Sequence, residues 1–552
     1  MASTGILRSR RSAAQLLAIA SVERDIRALD HASGRKYLRD FREAYRSYER
    51  VLAPGDVRRA IAGAGTVLIG DYHALPNSQR SVAALLSGPE LRQRPVVLGL
   101  ETIFSRDQHI LDEWSRGEID EGELRQRIRF ELDWGYDWAP FYELISAARD
   151  HGAFIYGLDC MPREDLRKIG ARDRHAADMI ADLRRRHPGA LVIVLFGESH
   201  LAPQHLPALL QQRIPTEPVL TVLQNVDDLY WRAAGEAGDH VEAVQVRENV
   251  LCVFNATPLE KYENYRLCLD RWRRNDGDGD GDGGAPDMAP TLYNLIEGMV
   301  RFLGIDQYSP HNTTQPRLLV DLMPEVYSHS SDALLHRLLS RKGFSAERRR
   351  SLLRQVRERG SVYLAPINAV YVRQFQMATS AEDATRFLHQ ACRGLPNLFG
   401  KGATQHAAAL ARPLNADDAF YLTVFEHAIA FFGSRILHPA RPALRDSDLA
   451  ELYDITREDL EHQTALPFAD AVEALDFLSQ RRTTPAQAPA FTGRKYEYVA
   501  ERLGYLTGTD LYDAYLEGRL TTAALRKLFL THIEQPGVAR EAYDQLRTRL
   551  RA

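Results

Sequence analysis

Residues 66–76 read TVLIGDYHALP, and residues 191–203 read LVIVLFGESHLAP. Each stretch is an apolar run of strand length that ends in the motif G-[D/E]-x-H-x-x-P. Short apolar runs bounded by turn residues predict buried strands of a parallel sheet. In an open α/β sheet, ligands bind outside the carboxyl ends of the strands. The repeat therefore predicts that His73 and His200 lie together at that edge of the sheet, in one site.

Two further apolar runs end in acids. Residues 95–100 lead into Glu101, and residues 153–158 lead into Asp159. Histidine and carboxylate side chains bind zinc, manganese or iron, and they also act as general acids and bases. For any one of them, capping of the following helix is the alternative. The duplicated motif favours a functional site, because the glycine in each copy lets the backbone turn sharply where a side chain faces a ligand.

Strand-like and helical stretches alternate through residues 61–272, where apolar runs also occur at 218–223 and 250–254. This alternation predicts an α/β domain with a mostly parallel sheet flanked by helices. Residues 1–60 have apolar positions at helical spacing, so they predict a helical lead-in whose aromatic residues, Tyr37 to Tyr48, belong to a core. Beyond a linker at 273–290, residues 291–552 show no strand series and predict a separate all-helical domain of unknown role.

The linker contains a repeated Asp-Gly dipeptide. Residues 276–287 read DGDGDGDGGAPD, and their acids fall at the ligand positions of an EF-hand. Gly283 stands where an EF-hand has an apolar residue, and Pro286 stands where its exiting helix begins. Repetition of one dipeptide is typical of a flexible, solvated linker. We therefore expect a linker here and no calcium site.

Composition excludes several classes of protein. The 552 residues carry a net charge of -4, which argues against a nucleic-acid partner. The four cysteines have neither metal-site nor disulfide-framework spacing. Charged residues interrupt the N-terminal stretch too early for a secretory signal, and no apolar run reaches the length of a membrane span. The sequence thus predicts a cytoplasmic protein without a transmembrane segment.

The motifs together resemble a known superfamily. Two G-x-x-H motifs at strand ends, with Glu101 after an intervening strand, are similar to the Tiki, TraB and erythromycin-esterase-like proteins, and most closely to the ChaN-like haem-binding uptake branch. Further matches are the Asp107-Gln108 pair and the Trp-Ala-Pro-Phe-Tyr stretch at 138–142. The resemblance covers roughly residues 60–256.

This resemblance implies two functions. ChaN-like members bind haem through a tyrosine and take part in iron uptake, which makes Tyr72 and Tyr136 candidate cofactor ligands, beside the motif histidines. Tiki-like members resemble metal-dependent peptidases, which makes His73, His200 and Glu101 candidate ligands of a divalent transition metal.

Two function classes stay open at this point. The chain is a binding protein for haem, iron or a divalent metal (Zn, Mn or Fe) at the carboxyl edge of the sheet, or it is a metal-dependent peptidase or esterase. In the second case Glu101, Glu198 and Asp159 are the candidate catalytic acids. Both predict a small-molecule or peptide ligand, and neither fixes the substrate, the metal or the oligomeric state.

A serine hydrolase is a weaker alternative. The residues around Ser199, read as Gly-Glu-Ser-His-Leu at 197–201, partly match the nucleophile elbow G-x-S-x-G. Leu201 replaces the final glycine of that motif, and a serine nucleophile leaves the duplicated histidine motif unexplained.

Overall fold

The computed structural model describes residues 2–30, 36–53, 55–160, 168–236, 241–275, 285–305, 322–329, 331–393, 414–483 and 487–551. The chain forms two compact units. The α/β unit comprises Val22–Gly283, and the helical unit comprises Met1–Ser21 with Gly284–Ala552. Most of the acidic run at 276–287, which we expected not to bind calcium, lies outside the described residues. The predicted boundaries at 60/61, 272/273 and 290/291 stay predictions.

The α/β unit is built on an eight-stranded sheet with the order β1-β7-β8-β6-β2-β5-β3-β4. All six apolar runs noted in the sequence form strands, and the pairs among them are parallel. Two short strands at one edge, β1 and β7, were not predicted, and they pair antiparallel. The strands are β1 Arg50–Val51, β2 Thr66–Asp71, β3 Val96–Phe104, β4 Phe154–Asp159, β5 Leu191–Gly197, β6 Val219–Gln224, β7 Ala243–Arg247 and β8 Val250–Val253.

Helices cover both faces of this sheet, because its central strands are apolar on both sides. Side chains alternate along a strand, so Val67 and Ile69 join the core on one face while Leu68 joins the core on the other. Helix α1, Ala2–Leu29, begins in the helical unit and ends in this one. The other helices of the unit are α2 Lys36–Ala44, α3 Asp56–Gly63, α4 Pro76–Leu86, α5 Gln108–Ser115, α6 Glu121–Arg127, α7 Phe130–Asp133, α8 Trp138–His151, α9 Ile169–Arg186, α10 Leu206–Arg213, α11 Asp227–Glu236 and α12 Pro258–Asn275.

The two copies of the motif follow neighbouring strands. β2 pairs with β5 in parallel, and this register sets Asp71 beside Gly197. From β2 the chain continues to β3, on the β5 side, whereas from β5 it continues to β6, on the other side of β2. Connections that leave two adjacent strands in opposite directions open a crevice at their carboxyl ends. The fold therefore places both motifs at the ligand-binding edge of the sheet.

The helical unit is rich in helices, so the predicted order of an α/β part followed by a helical part is confirmed. It also contains a three-stranded sheet, β10-β11-β9, that the sequence analysis did not predict. Each of its strands has four residues, too few to show a period of two against a helical background. The strands are β9 Glu325–Ser328, β10 Ser361–Leu364 and β11 Ala369–Val372.

The core of the helical unit forms between helices that approach closely. A Cβ atom added at Gly504 would lie 2.4 Å from His427 Cβ, so glycine is required where their two helices cross. Within the described residues, no helix is both long and apolar enough to span a membrane. The helices are α13 Ala289–Leu303, α14 Asp332–Arg341, α15 Ala346–Arg359, α16 Met377–Arg393, α17 Ala416–Leu437, α18 Asp446–Glu451, α19 Arg457–Thr464, α20 Phe468–Thr483, α21 Gly493–Leu516, α22 Thr522–Phe529 and α23 Val538–Arg551.

Candidate functional site

Glu101 lies at the centre of the candidate site. The apolar run predicted that it follows a strand, but it lies inside β3. It comes directly after Leu100, the last residue of β3 that pairs with β5. The register of β3 with β4 shifts between Leu100 and Phe104, and an irregularity of this kind bends a strand locally. The Glu101 carboxylate consequently reaches the end of β5 and accepts a hydrogen bond from the Gly197 backbone N–H, with an N–O distance of 2.5 Å.

The two motif histidines approach the same carboxylate. His73 Nε2 lies 3.8 Å from Oε2 of Glu101, and His200 Nε2 lies 3.7 Å from Oε1. Each ring is held from behind by an aspartate: Nδ1 of His73 lies 2.8 Å from Asp71, and Nδ1 of His200 lies 2.5 Å from Asp173. An aspartate on Nδ1 fixes the tautomer and directs Nε2 toward the ligand side. The structure thus brings His73, His200 and Glu101 together.

Gly197 leaves space among these three side chains. A Cβ atom added there would lie 3.0 Å from Glu101 Oε2, 3.1 Å from His73 Nε2 and 3.3 Å from His200 Cδ2. The sequence analysis attributed this glycine to a sharp backbone turn, but its φ of -49° is open to any residue. Glycine is needed here because a side chain would fill the space at which the three groups converge.

The charge on Glu101 is stabilised although the residue is buried. Burial raises the pKa of this carboxyl, but the neighbouring His200, His73 and Arg172 groups outweigh it and lower the pKa from an ordinary 4.5 to about 2. The hydrogen bond from the Gly197 backbone N–H acts in the same direction. Glu101 is therefore a carboxylate at neutral pH.

Asp159, a predicted catalytic acid, acts on the site through an arginine. Its carboxylate accepts hydrogen bonds from Nε and Nη2 of Arg172, at 2.8 and 2.9 Å. The same Nη2 donates to Glu101 at 2.6 Å. All three side chains are buried, so they form a desolvated pair of carboxylates bridged by one guanidinium. In this arrangement Asp159 positions Arg172, and Arg172 positions Glu101.

Glu198, the other predicted catalytic acid, belongs to a second ion pair. Its two oxygens lie 3.1 and 3.2 Å from Nζ of Lys261, a buried residue of α12. Burial raises the pKa of Glu198, with Lys261 opposing the shift. Asp227 lies 3.8 Å from the same Nζ, so the lysine forms ion pairs with two acids.

The two candidate tyrosine ligands lie on different sides of the motif. The Tyr136 ring packs against His73, with 5.2 Å between ring centroids, and it also contacts the rings of Trp134 and Trp272. The Tyr72 ring instead lies under Nζ of Lys261, at 4.5 Å. Burial raises the pKa of both phenols well above 10, so neither is a phenolate on its own.

Several residues that hold Glu101 and His200 in place were not predicted from the sequence. Arg172 and Asp173 begin the buried face of α9 that continues through Ala176 and Ile180. The sequence does contain one signal: these two charged residues lie at helical spacing from apolar residues, on the face that becomes buried. A charged side chain on a buried helix face needs a partner, so the pattern indicates an ion pair.

Tyr37 was predicted to be core. Its hydroxyl in fact donates to Asp173 at 2.9 Å, and its ring stacks on His205 with 3.7 Å between centroids.

A divalent metal is the less well supported ligand of this site. Among the described residues, no group of three His, Cys, Asp or Glu side chains is arranged to hold a metal ion. Glu101, the predicted third ligand, already accepts a hydrogen bond on each oxygen, from Arg172 on Oε1 and from the Gly197 N–H on Oε2.

Part of the α/β unit matches a known protein family. Residues 57–172 match a protein family described as haem-binding uptake, Tiki superfamily, ChaN. This segment is ChaN-like. The ChaN-like segment contains His73, Glu101, Tyr136 and Arg172, and it ends before the second motif with His200.

One similar solved structure describes cofacial haem binding to ChaN of Campylobacter jejuni. It is 16% identical, covers 32% of this chain and 87% of that chain, and has a TM-score of 0.27. No curated protein matches the sequence.

Proposed function

We propose that the α/β unit binds haem at the carboxyl edge of its sheet, beside His73. The observation that carries the proposal is an aromatic cluster at this histidine. Trp134 and Tyr136, both within the ChaN-like segment, pack on the His73 ring, and Trp272 packs on Tyr136. All three rings are partly exposed, and flat aromatic surfaces with a few polar groups are what binds a large planar ligand.

Three side chains are candidates for the iron ligand. Asp71 engages Nδ1 of His73, so Nε2 is the basic nitrogen, as in proteins that hold haem through a histidine. Tyr136 offers a phenol, which family resemblance favours, but its raised pKa opposes the phenolate form. We therefore rank His73 first and Tyr136 second. Tyr72, which faces Lys261, comes third. In an uptake protein the bound haem is cargo.

A haemin titration followed by absorbance tests the proposal on the full chain. We expect saturable binding that His73→Ala weakens by at least about tenfold, or about 1.4 kcal/mol. Tyr136→Phe reports whether the phenol takes part. Tyr142→Phe is the matched control, because it removes a phenol from the same α8 region at a ring that contacts Trp138 rather than His73. Absence of binding at micromolar haemin, or equal binding by His73→Ala, would contradict it.

A metal-dependent hydrolase is the second candidate. It is favoured by the aspartate that is hydrogen-bonded to Nδ1 of each imidazole, because metal-ligating histidines typically have such a carboxylate partner. His73 and His200 would hold the ion, which when bound would supply an activated water and a polarised carbonyl. Glu101 would hold the histidines in place, or accept a proton from the substrate side of the cluster. Elemental analysis of the purified chain separates the candidates: bound transition metal without haemin binding would favour the hydrolase.

A further inference from the structure

The helical unit contains a cavity of about 150 Å³ between α15, β10, α16 and α17. Its wall is divided into two parts. One part is apolar and includes Leu352, Leu364 and Pro366, and the other is polar and includes Arg348, Arg386 and Arg393. A space of this size accommodates one compact organic molecule, about the size of benzene.

The polar wall has more positive than negative charge. Three guanidinium groups face the cavity against one carboxylate, that of Glu426. Arg393 donates to Glu426 at 2.9 Å and to Glu534 at 3.1 Å, so it is neutralised. Arg348 forms no ion pair or side-chain hydrogen bond with any residue in the described part of the chain.

Arg386 has only a shared counter-ion. Its Nη2 donates to Nδ1 of His427 at 2.8 Å, an acceptor without charge, and lies 3.8 Å from Glu382. That same Glu382 carboxylate also pairs with Arg359 and Arg441. Arg359 has a second acid, Glu501, at 3.0 Å, whereas the one ion pair of Arg386 within the described chain is with the shared Glu382. Arg386 therefore leaves the cavity wall attractive to an anion.

A buried histidine on this wall has an unused ring nitrogen. His389 is 1% exposed, and its Nε2 forms no hydrogen bond with the described residues. Burial, reinforced by Arg393 and Arg386, lowers the pKa of His389 well below its usual range, so the ring is neutral. A buried polar nitrogen without a partner is unfavourable, so a water or a ligand that accepts its hydrogen bond would stabilise it.

We propose that this cavity binds a compact organic anion, a carboxylate or phosphate group with a small apolar body. The anionic group would pair with Arg348 and Arg386 and accept a hydrogen bond from His389, while the body packs on Leu352 and Pro366. Arginine is suited to both groups because its planar fork of N–H donors matches carboxylate and phosphate oxygens. This site is separate from the haem site proposed for the α/β unit and does not depend on it.

Titration calorimetry on the full chain tests the proposal with benzoate and phenyl phosphate as probes and benzamide as the neutral isostere of benzoate. We expect saturable binding of at least one anion, and binding of benzamide at least about tenfold weaker. The anion that binds more tightly identifies the head group. Equal binding of benzoate and benzamide, or binding of neither anion at millimolar concentration, would overturn the proposal.

Two variants locate the binding. Arg348→Gln is expected to weaken anion binding about tenfold without changing the folded state, since this side chain is exposed and unpaired within the described chain. Arg350→Gln, an exposed arginine of the same helix that does not line the cavity, is the matched control. His389→Phe keeps the ring and removes the nitrogen, so it should weaken the same probes. Equal affinities of the Arg348 and Arg350 variants would place the binding elsewhere and contradict the assignment.

Discussion

The guanidinium of Arg172 lies 2.6 Å from the carboxylate of Glu101, and both side chains are buried. This contact connects the Asp159–Arg172 pair with Glu101 and the two histidines beside it. Asp159 at the end of β4 accepts hydrogen bonds from the same arginine. His200 approaches the glutamate oxygen that the arginine binds, and His73 approaches the other oxygen. The position of Glu101 is thus fixed by groups from several strands, which is how an enzyme or binding protein keeps a site rigid.

Replacing Arg172 should destabilise the α/β unit. Arg172→Met leaves Glu101 and Asp159 as neighbouring buried carboxylates without their shared cation. Loss of one partner of a buried ion pair costs about 3–5 kcal/mol, so we expect the free energy of unfolding in urea to fall by that amount. Arg174→Met is the control, because this arginine is exposed on the same helix, and a change within about 0.5 kcal/mol is expected. Equal effects would show that the buried bridge contributes nothing.

Acid should destabilise the protein through Glu101. Its pKa is about 2 in the folded state and 4.5 without its partners, so the unfolded chain binds a proton first as the pH falls. The resulting stabilisation, about 3 kcal/mol, is present above pH 4.5 and is lost between pH 4.5 and 2. Urea unfolding of the normal chain and of Glu101→Gln at pH 7, 4.5 and 3 checks this. The difference in stability between the two proteins should shrink toward pH 3, and a constant difference would contradict the shift.

Much of the sheet could be predicted, because each central strand is a continuous apolar run next to a turn. The repeat G-[D/E]-x-H-x-x-P also predicted that His73 and His200 follow strands at one edge, and the register of Asp71 with Gly197 explains why they meet. What could not be predicted is the set of partners. Asp173 and Arg172 come from a helix, and nothing in a single sequence indicates which strand end that helix faces.

The sequence also does not predict that the two acids of the repeat have different roles. Asp71 and Glu198 occupy equivalent motif positions, yet Asp71 holds an imidazole and Glu198 pairs with Lys261 of α12. The register of the two strands is offset by one residue relative to the motifs, so equivalent side chains do not occupy equivalent places. A duplicated motif therefore indicated a shared site without indicating a shared role.

The space at Gly197 should be necessary for ligand binding. Gly197→Ala adds a methyl group 3.0–3.3 Å from Glu101, His73 and His200, at a backbone conformation that alanine adopts without strain. We expect haemin or metal affinity to fall at least about tenfold while the protein stays folded. Gly63→Ala is the control, since a Cβ there meets no atom within 4 Å. Unchanged ligand affinity in Gly197→Ala would place the ligand away from this convergence point.

Lys261 should matter for stability rather than for chemistry. Lys261→Met leaves Glu198 buried without its cation, and we expect the free energy of unfolding to fall by about 3–5 kcal/mol. Adding Glu198→Gln removes the stranded charge, so the double variant should recover part of that loss. Urea denaturation of the single and double variants measures both effects. Loss of activity in a double variant that has recovered its stability would instead show that this pair takes part in chemistry.

Glu101→Gln distinguishes the two candidate functions. In a hydrolase, the loss of the carboxylate that faces both imidazoles removes a proton acceptor and the charge that holds the site, so turnover should fall by a factor of about 100 or more. In a haem-binding protein, the aromatic surface around His73 is unchanged, so haemin affinity should change by less than tenfold, or about 1.4 kcal/mol. Haemin titration and hydrolysis assays on the same preparation separate the outcomes. Full hydrolytic activity would exclude Glu101 from catalysis, and complete loss of haemin binding would make it part of the haem pocket.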